Sequence, residues 1–335
     1  MAAPRPLTDC PPSIWREAVA PYTKASARRS LLQVGITFLG FLLIMAAMFY
    51  VLGHGILIGL LIAPVAAAFV VRLFIIQHDC GHQSFFGQAW ANEALGRALG
   101  VLTLTPFDSW RWSHSMHHAT SGNLDRRGFG DIATLTVREY RALPTWRKAL
   151  YQLYRHPIVM LGFGPMLQFF VIHRLPVAQR FRKLREWASV CGTNAAILAV
   201  VVIAIMTLGW KLFLIGYLPV MVMAASIGVF LFYVQHQFEE AYWRPGTGWN
   251  YTAAALDGCS FLDLPVWLHW VTGYIGFHHI HHLSSRIPNY RLRECHNKNP
   301  ILHSAKKLTL LESLKCLRLT LWDEDAGRLV RFDQA

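Results

Sequence analysis

Four apolar runs, each long enough to cross a bilayer, come in two closely joined pairs, and this decides the fold class. The runs are roughly Leu31–Leu52, Gly55–Ile76, Ala188–Leu208 and Leu212–Val234. A helical span needs about 20 apolar residues, since each residue rises about 1.5 Å through a core about 30 Å thick. Inside hydrocarbon the backbone must satisfy its own hydrogen bonds, so such runs are helices. Only Gly53-His54-Gly55 joins the first pair and Gly209-Trp210-Lys211 the second, so each pair is a tight hairpin. The N-terminus, the stretch from Gln77 to Trp187 and the C-terminal hundred residues then share one side of the membrane. The expected fold is an all-α integral membrane protein, with four transmembrane helices as two hairpins and a helical cap on that side.

The charges agree. Of 32 Lys and Arg, five lie in the N-terminal tail, fourteen in the central stretch and eleven in the C-terminal region; Arg72 and Lys211 complete the count. The positive-inside rule makes the charged side cytoplasmic. A chain 54% hydrophobic with mean hydropathy +0.31 is too apolar for most soluble domains. Its net charge of +13 suits anionic lipid headgroups and requires no nucleic acid. Trp187, Trp210 and Tyr233 stand near span ends, where amphipathic rings prefer the interface. The cysteines Cys10, Cys80, Cys191, Cys259, Cys295 and Cys316 show no metal or redox pairing. All but Cys191 fall on the reducing side, so no disulfide is expected. The start, Met-Ala-Ala-Pro, stays polar for about thirty residues and reads as lacking a cleavable signal peptide.

Three shorter apolar stretches are expected to be interfacial or re-entrant helices. Leu95–Phe107 carries Arg97. Ile158–Ile172 is broken by Gly162, Gly164 and Pro165. Phe261–Phe277 contains Asp263, Pro265 and His269. The organisation expected is a loosely held cytoplasmic tail over 1–30, one membrane domain over 31–325 and a second tail over 326–335.

Histidine clusters stand just outside the spans: His78-Asp79-Cys80-Gly81-His82, His114-Ser115-Met116-His117-His118 and His278-His279-Ile280-His281-His282. Residues three and four apart share a helix face. His78 with His82, His114 with His117 and His118, and His278 with His281 and His282 therefore project together. His236, two residues past the fourth run, makes nine imidazoles. One zinc takes about four ligands, so nine suit two metals. His279 breaks the shared face and reads as an outer neighbour of the ligands; His269 is similar. The lone His156, His173, His296 and His303 read as surface or satisfied core residues. Cys80 reads as a small packed residue, and Trp110 and Trp112 as lining the site or, the favoured reading, as headgroup anchors.

Paired Glu-x-x-His motifs are absent, which excludes a carboxylate-bridged ferritin-like centre. So is His-Glu-x-x-His, which weighs against a membrane zinc hydrolase. Imidazole suits iron, copper, nickel and zinc. Beside apolar helices such ligands point to an oxidation-capable metal placed against a lipid chain. A metal transporter would set its ligands near the bilayer midplane.

The spacing His-x-x-x-His, His-x-x-His-His and His-x-x-His-His around two hairpins resembles the membrane fatty acid desaturases. So do the words around it: Asp79-Cys80-Gly81, Gly122 and Asp125 after the second cluster, and Ile287-Pro288-Asn289-Tyr290 after His281-His282-Leu283. The resemblance covers roughly residues 30 to 325. It implies two non-haem irons, O2 as co-substrate and a cis double bond placed in an acyl chain. It also implies His78, His82, His114, His117, His118, His236, His278, His281 and His282 as ligands, with Asp79, Asp125 and Glu239 as candidates to hold their outer N–H groups. No His-Pro-Gly-Gly haem motif is present, so electrons are expected from an external carrier such as ferredoxin. The flanking words lean toward a bacterial acyl-lipid enzyme of the inner membrane acting at Δ12 (ω-6). A lipid hydroxylase or a carotenoid ketolase or hydroxylase of the same superfamily is the alternative, and a non-enzymatic membrane metal-binding protein stands behind both.

Overall fold

A computed structural model describes residues 12–128, 130–176 and 184–335. Cys10 and the first eleven residues of the expected tail lie outside the described residues. Four helices are long and apolar enough to cross a membrane: Ala27–Gly53, Leu57–Gly81, Leu184–Leu208 and Trp210–His236. Ser26 starts the first, its side chain accepting from Arg29 N. Gly55 (φ +76°) and Gly209 (φ +79°) make the hairpin turns in a conformation that side chains resist. The first span shows lipid an apolar face that includes Leu31, Leu32, Ile36 and Leu43.

Two helices outlast their apolar runs. The second continues through His78 to Gly81, and the fourth ends on His236 itself. Both histidines therefore stand inside rigid helix rather than in a loop beyond it.

Of the three short apolar stretches, the first and third depart from expectation. Leu95–Phe107 is the end of one helix, Ala89–Leu102, and the start of another, Phe107–Thr120. Leu104 turns the chain between them at φ +53°. Val159–Arg174 is helical, with wider i→i+5 turns, and meets Thr145–Arg155 at 63°. That is the geometry of a broken span or a re-entrant segment. Phe261–Phe277 is not one helix. Phe261–Asp263 is a strand paired in parallel with Lys307–Thr309, and only Val266–Val271 is helical, with Val266 and Trp267 exposed. A second sheet joins Leu135–Thr136, Leu321–Asp323 and Arg328–Val330. Apart from these small sheets the fold is helical, as expected.

The described parts of both expected tails are packed. The helix Pro12–Val19 buries Trp15 and Val19 in a cluster with Leu256, Ile280 and Leu283, behind the third histidine cluster. Burying one such side chain contributes about 1.5 to 3 kcal/mol. At the other end Arg328–Val330 is a paired strand, and the Phe332 ring lies 5.3 Å from that of Tyr140. Cys80, Cys191, Cys259, Cys295 and Cys316 are free thiols, and Cys80 is fully buried.

Candidate metal centre

Four elements bring the histidines together. His78 and His82 come from the end of the second span, and His236 from the end of the fourth. His114, His117 and His118 lie on Phe107–Thr120, and the third cluster forms the helix His278–Leu283. The nine rings form two groups. His78, His82, His114, His118 and His281 make one; His117, His236, His278 and His282 make the other. Within each group the ligand atoms all lie within 4.8 Å of one another. The sorting follows from helix pitch. At about 100° per residue, His114 and His118 lie about 40° apart around their axis, and so do His278 and His282. His117 and His281 are turned away from those pairs. Each triplet thus gives its i,i+4 pair to one group and its third ring to the other.

The donor atoms fit metal ions. In the first group, Nε2 of His114 lies 3.0 Å from that of His82 and 3.1 Å from that of His118, which is 3.1 Å from that of His281. In the second, Nε2 of His236 lies 2.9 Å from that of His278 and 3.2 Å from that of His117. Nitrogens bound to one metal at about 2.0 to 2.1 Å stand about 3 Å apart. Burial, then neighbouring rings, holds His82, His114, His118, His278, His281 and His282 well below the usual imidazole value. Neutral rings keep the lone pair that a metal needs.

Outer contacts set the ring orientations. His117 Nδ1 bonds Asp131, and His78 Nδ1 lies 3.2 Å from Asp79 Oδ1. Asp79 Oδ2 also accepts from Asn289 N at 2.6 Å, tying the first cluster to the segment that follows the third. His236 Nδ1 lies 3.7 Å from Cys259 Sγ. Of the three carboxylates read from sequence, Asp79 alone is seen on a histidine. Asp125 accepts from Gly246 N at 2.7 Å, and Glu239 pairs with Arg328 at 2.7 Å in a mostly exposed position. They brace the cap. Asp131 was missed; its only sequence signal is an acid fourteen residues after His117, with no periodicity to mark it.

The remaining histidines lie outside both groups. His279 faces His296, which stacks on His303 at 4.2 Å. His269 Nε2 accepts from Leu264 N, His156 Nδ1 accepts from Ile158 N, and His173 meets Leu104 O. For Trp110 the structure supports the site-lining reading. Its ring stacks on His114 at 4.6 Å and 15°, forming a wall of the first group. A Cβ on Gly81 would stand 3.0 Å from that indole, so the glycine lets the wall close.

Comparison with known proteins places this geometry in a family. The fatty acid desaturase family model matches residues 54–305. A fatty acid desaturase of Bacillus subtilis strain 168 is 43% identical over 314 residues, covering 94% of this chain and 89% of that protein. The sn-1 oleoyl-lipid 12-desaturase of Synechocystis is 31% identical over 67% of this chain and 63% of its own length. The sn-1 acyl-lipid omega-3 desaturase (ferredoxin) of a Nostoc strain is 28% identical over 66% of this chain and 61% of its own length. With two histidine groups able to hold metal at the ends of its spans, the chain belongs to the fatty acid desaturases, a family of oxidoreductases.

Proposed function

We propose that the protein is an O2-dependent acyl-lipid desaturase that places a cis double bond at Δ12 (ω-6) and holds one iron in each histidine group. The carrying observation is the division of nine imidazoles, six of them buried and three half-buried, into two groups. Five and four nitrogens suit two small coordination spheres and exceed one. Similarity to the Synechocystis oleoyl-lipid 12-desaturase supports the position.

Bound iron supplies what no side chain has, activation of O2 strongly enough to take hydrogen from an unactivated methylene. The rest is done by this chain. Nine imidazoles bind, and Asp131 and Asp79 hold the outer nitrogens of His117 and His78 so that Nε2 faces inward. Trp110 and the apolar span ends keep water from one side of the first group. Each turnover removes two hydrogens from –CH2–CH2–. O2 accepts those two hydrogens, with their electrons, together with two electrons from a carrier and two protons from the medium, and leaves as two waters. The carrier is proposed to be a ferredoxin-like protein, as named for the Nostoc relative, steered by the basic cap. The cap is proposed to face the cytoplasm of a bacterial inner membrane.

The test is expression in a host rich in oleate, followed by fatty-acid profiling with double-bond location. A Δ9,Δ12 diene is expected. A hydroxylated or keto product would overturn desaturation, and a new double bond elsewhere would overturn the position alone.

A further inference from the structure

Arg155 is among the largest fully buried side chains and ends the helix Thr145–Arg155, where the chain bends into Val159–Arg174. Among the described residues, none of its hydrogen-bond partners is a carboxylate. Nη1 donates to Ala133 O (2.9 Å), Thr134 Oγ1 (3.0 Å) and Tyr151 OH (3.3 Å); Nη2 donates to Tyr233 OH (2.8 Å), Leu319 O (3.0 Å) and Gln237 Oε1 (3.4 Å). A buried cation held only by neutral oxygens is costly, so its place asks for a reason.

The partners supply one. Ala133 and Thr134 lie two and three residues after Asp131, whose carboxylate holds His117. Tyr233 and Gln237 bracket His236, one turn before it and one residue after it. His117 and His236 present Nε2 atoms 3.2 Å apart in the second group. Two chain segments distant in sequence must be held in register for that to happen, and one planar guanidinium grips both. No partner of Arg155 lies in a segment that presents a ligand of the first group.

We propose that Arg155 is a positioning residue for the second metal site, setting His117 and His236 at a common distance from one ion. The proposal rests on the two-metal reading above. It requires the guanidinium fork and not merely its charge, because lysine's single nitrogen has three donors and cannot span the acceptors that Nη1 and Nη2 reach separately.

The test is titration of metal-free, full-length protein in detergent with Co2+, read by its absorption bands. His278→Ala identifies the bands of the second site. The native protein should bind two Co2+. Arg155→Lys should bind the first as the native protein does and the second at least tenfold more weakly. Tyr233→Phe, which removes one acceptor, should weaken the second site less. Arg138→Gln, which loses only cap ion pairs to Glu324 and Asp325, should change neither. Two native affinities in both Arg155→Lys and Tyr233→Phe would overturn the proposal, as would equal weakening of both sites. Should Arg155→Lys not fold, Tyr233→Phe decides by the same criteria. A native protein that stops at one Co2+ would instead overturn the two-metal reading.

Discussion

His236 and His303 carry the same side chain and face opposite fates. His236 ends a span with Nε2 2.9 Å from that of His278. His303 is exposed, and its Nε2 meets the carbonyl of His296 at 2.8 Å. His236→Ala should lower bound metal and abolish desaturation while the protein stays folded and membrane-inserted; His303→Ala should keep most activity. Metal analysis beside product profiling checks both, and native metal content in His236→Ala would remove it from the ligand set. Eight of the nine histidines were legible because helical spacing puts them on common faces, and His236 because it stands just past the fourth run, as His78 does past the second. Asp131 was not, because a loop carries no period. Trp110 admits two readings because an indole near a membrane fits an interface as well as a wall, and its stacking on His114 favours the wall.

Among the elements, long runs were legible and short ones were not. Twenty apolar residues can only be a span. A run of a dozen fits a strand, a helix end or a turn, and Phe261–Phe277 holds all three. Close contact between elements rests on glycines that sequence alone does not distinguish. A Cβ on Gly100, near the end of Ala89–Leu102, would stand 2.5 Å from Thr105 O, a backbone atom that cannot step aside. A Cβ on Gly35, in the first span, would meet nothing within 4 Å. Gly100→Ala should destabilise by about 1 to 3 kcal/mol. Gly35→Ala should be neutral or stabilise by up to about 1 kcal/mol. Thermal melts in one detergent compare the two, and equal melting points would refute the close approach.

For the whole molecule, two hairpins fix the sidedness. Tags at the N-terminus, near Arg147 and at the C-terminus should report one side, and a tag at His54 the other. A tag near Arg147 found opposite the C-terminus would separate the second histidine cluster from the third. The cap's buried histidines also set a pH response. In unfolded chain they take protons below about pH 6.5. Burial holds His82, His114, His118, His278, His281 and His282 well below that, so on acidification the unfolded state binds more protons than the folded one. Their contribution is complete above about pH 6.5 and declines as pH falls through it. Metal-free protein should therefore melt lower at pH 5.5 than at pH 8, and a flat profile would count against neutral buried rings.

The division of ligands between the groups also has a consequence in time. When His118 has been synthesised, the first group already owns four of its five rings, whereas the second owns only His117. Another 163 residues pass before His281 follows, roughly 8 to 33 s at about 5 to 20 residues per second. The first pocket can thus capture a metal while the second has yet to be made. Nascent chains arrested past residue 160 should already retain one metal against a mild chelator, and chains arrested before His114 should retain none. On that expectation, the order of the letters in the gene is also the order in which the two pockets become able to take metal.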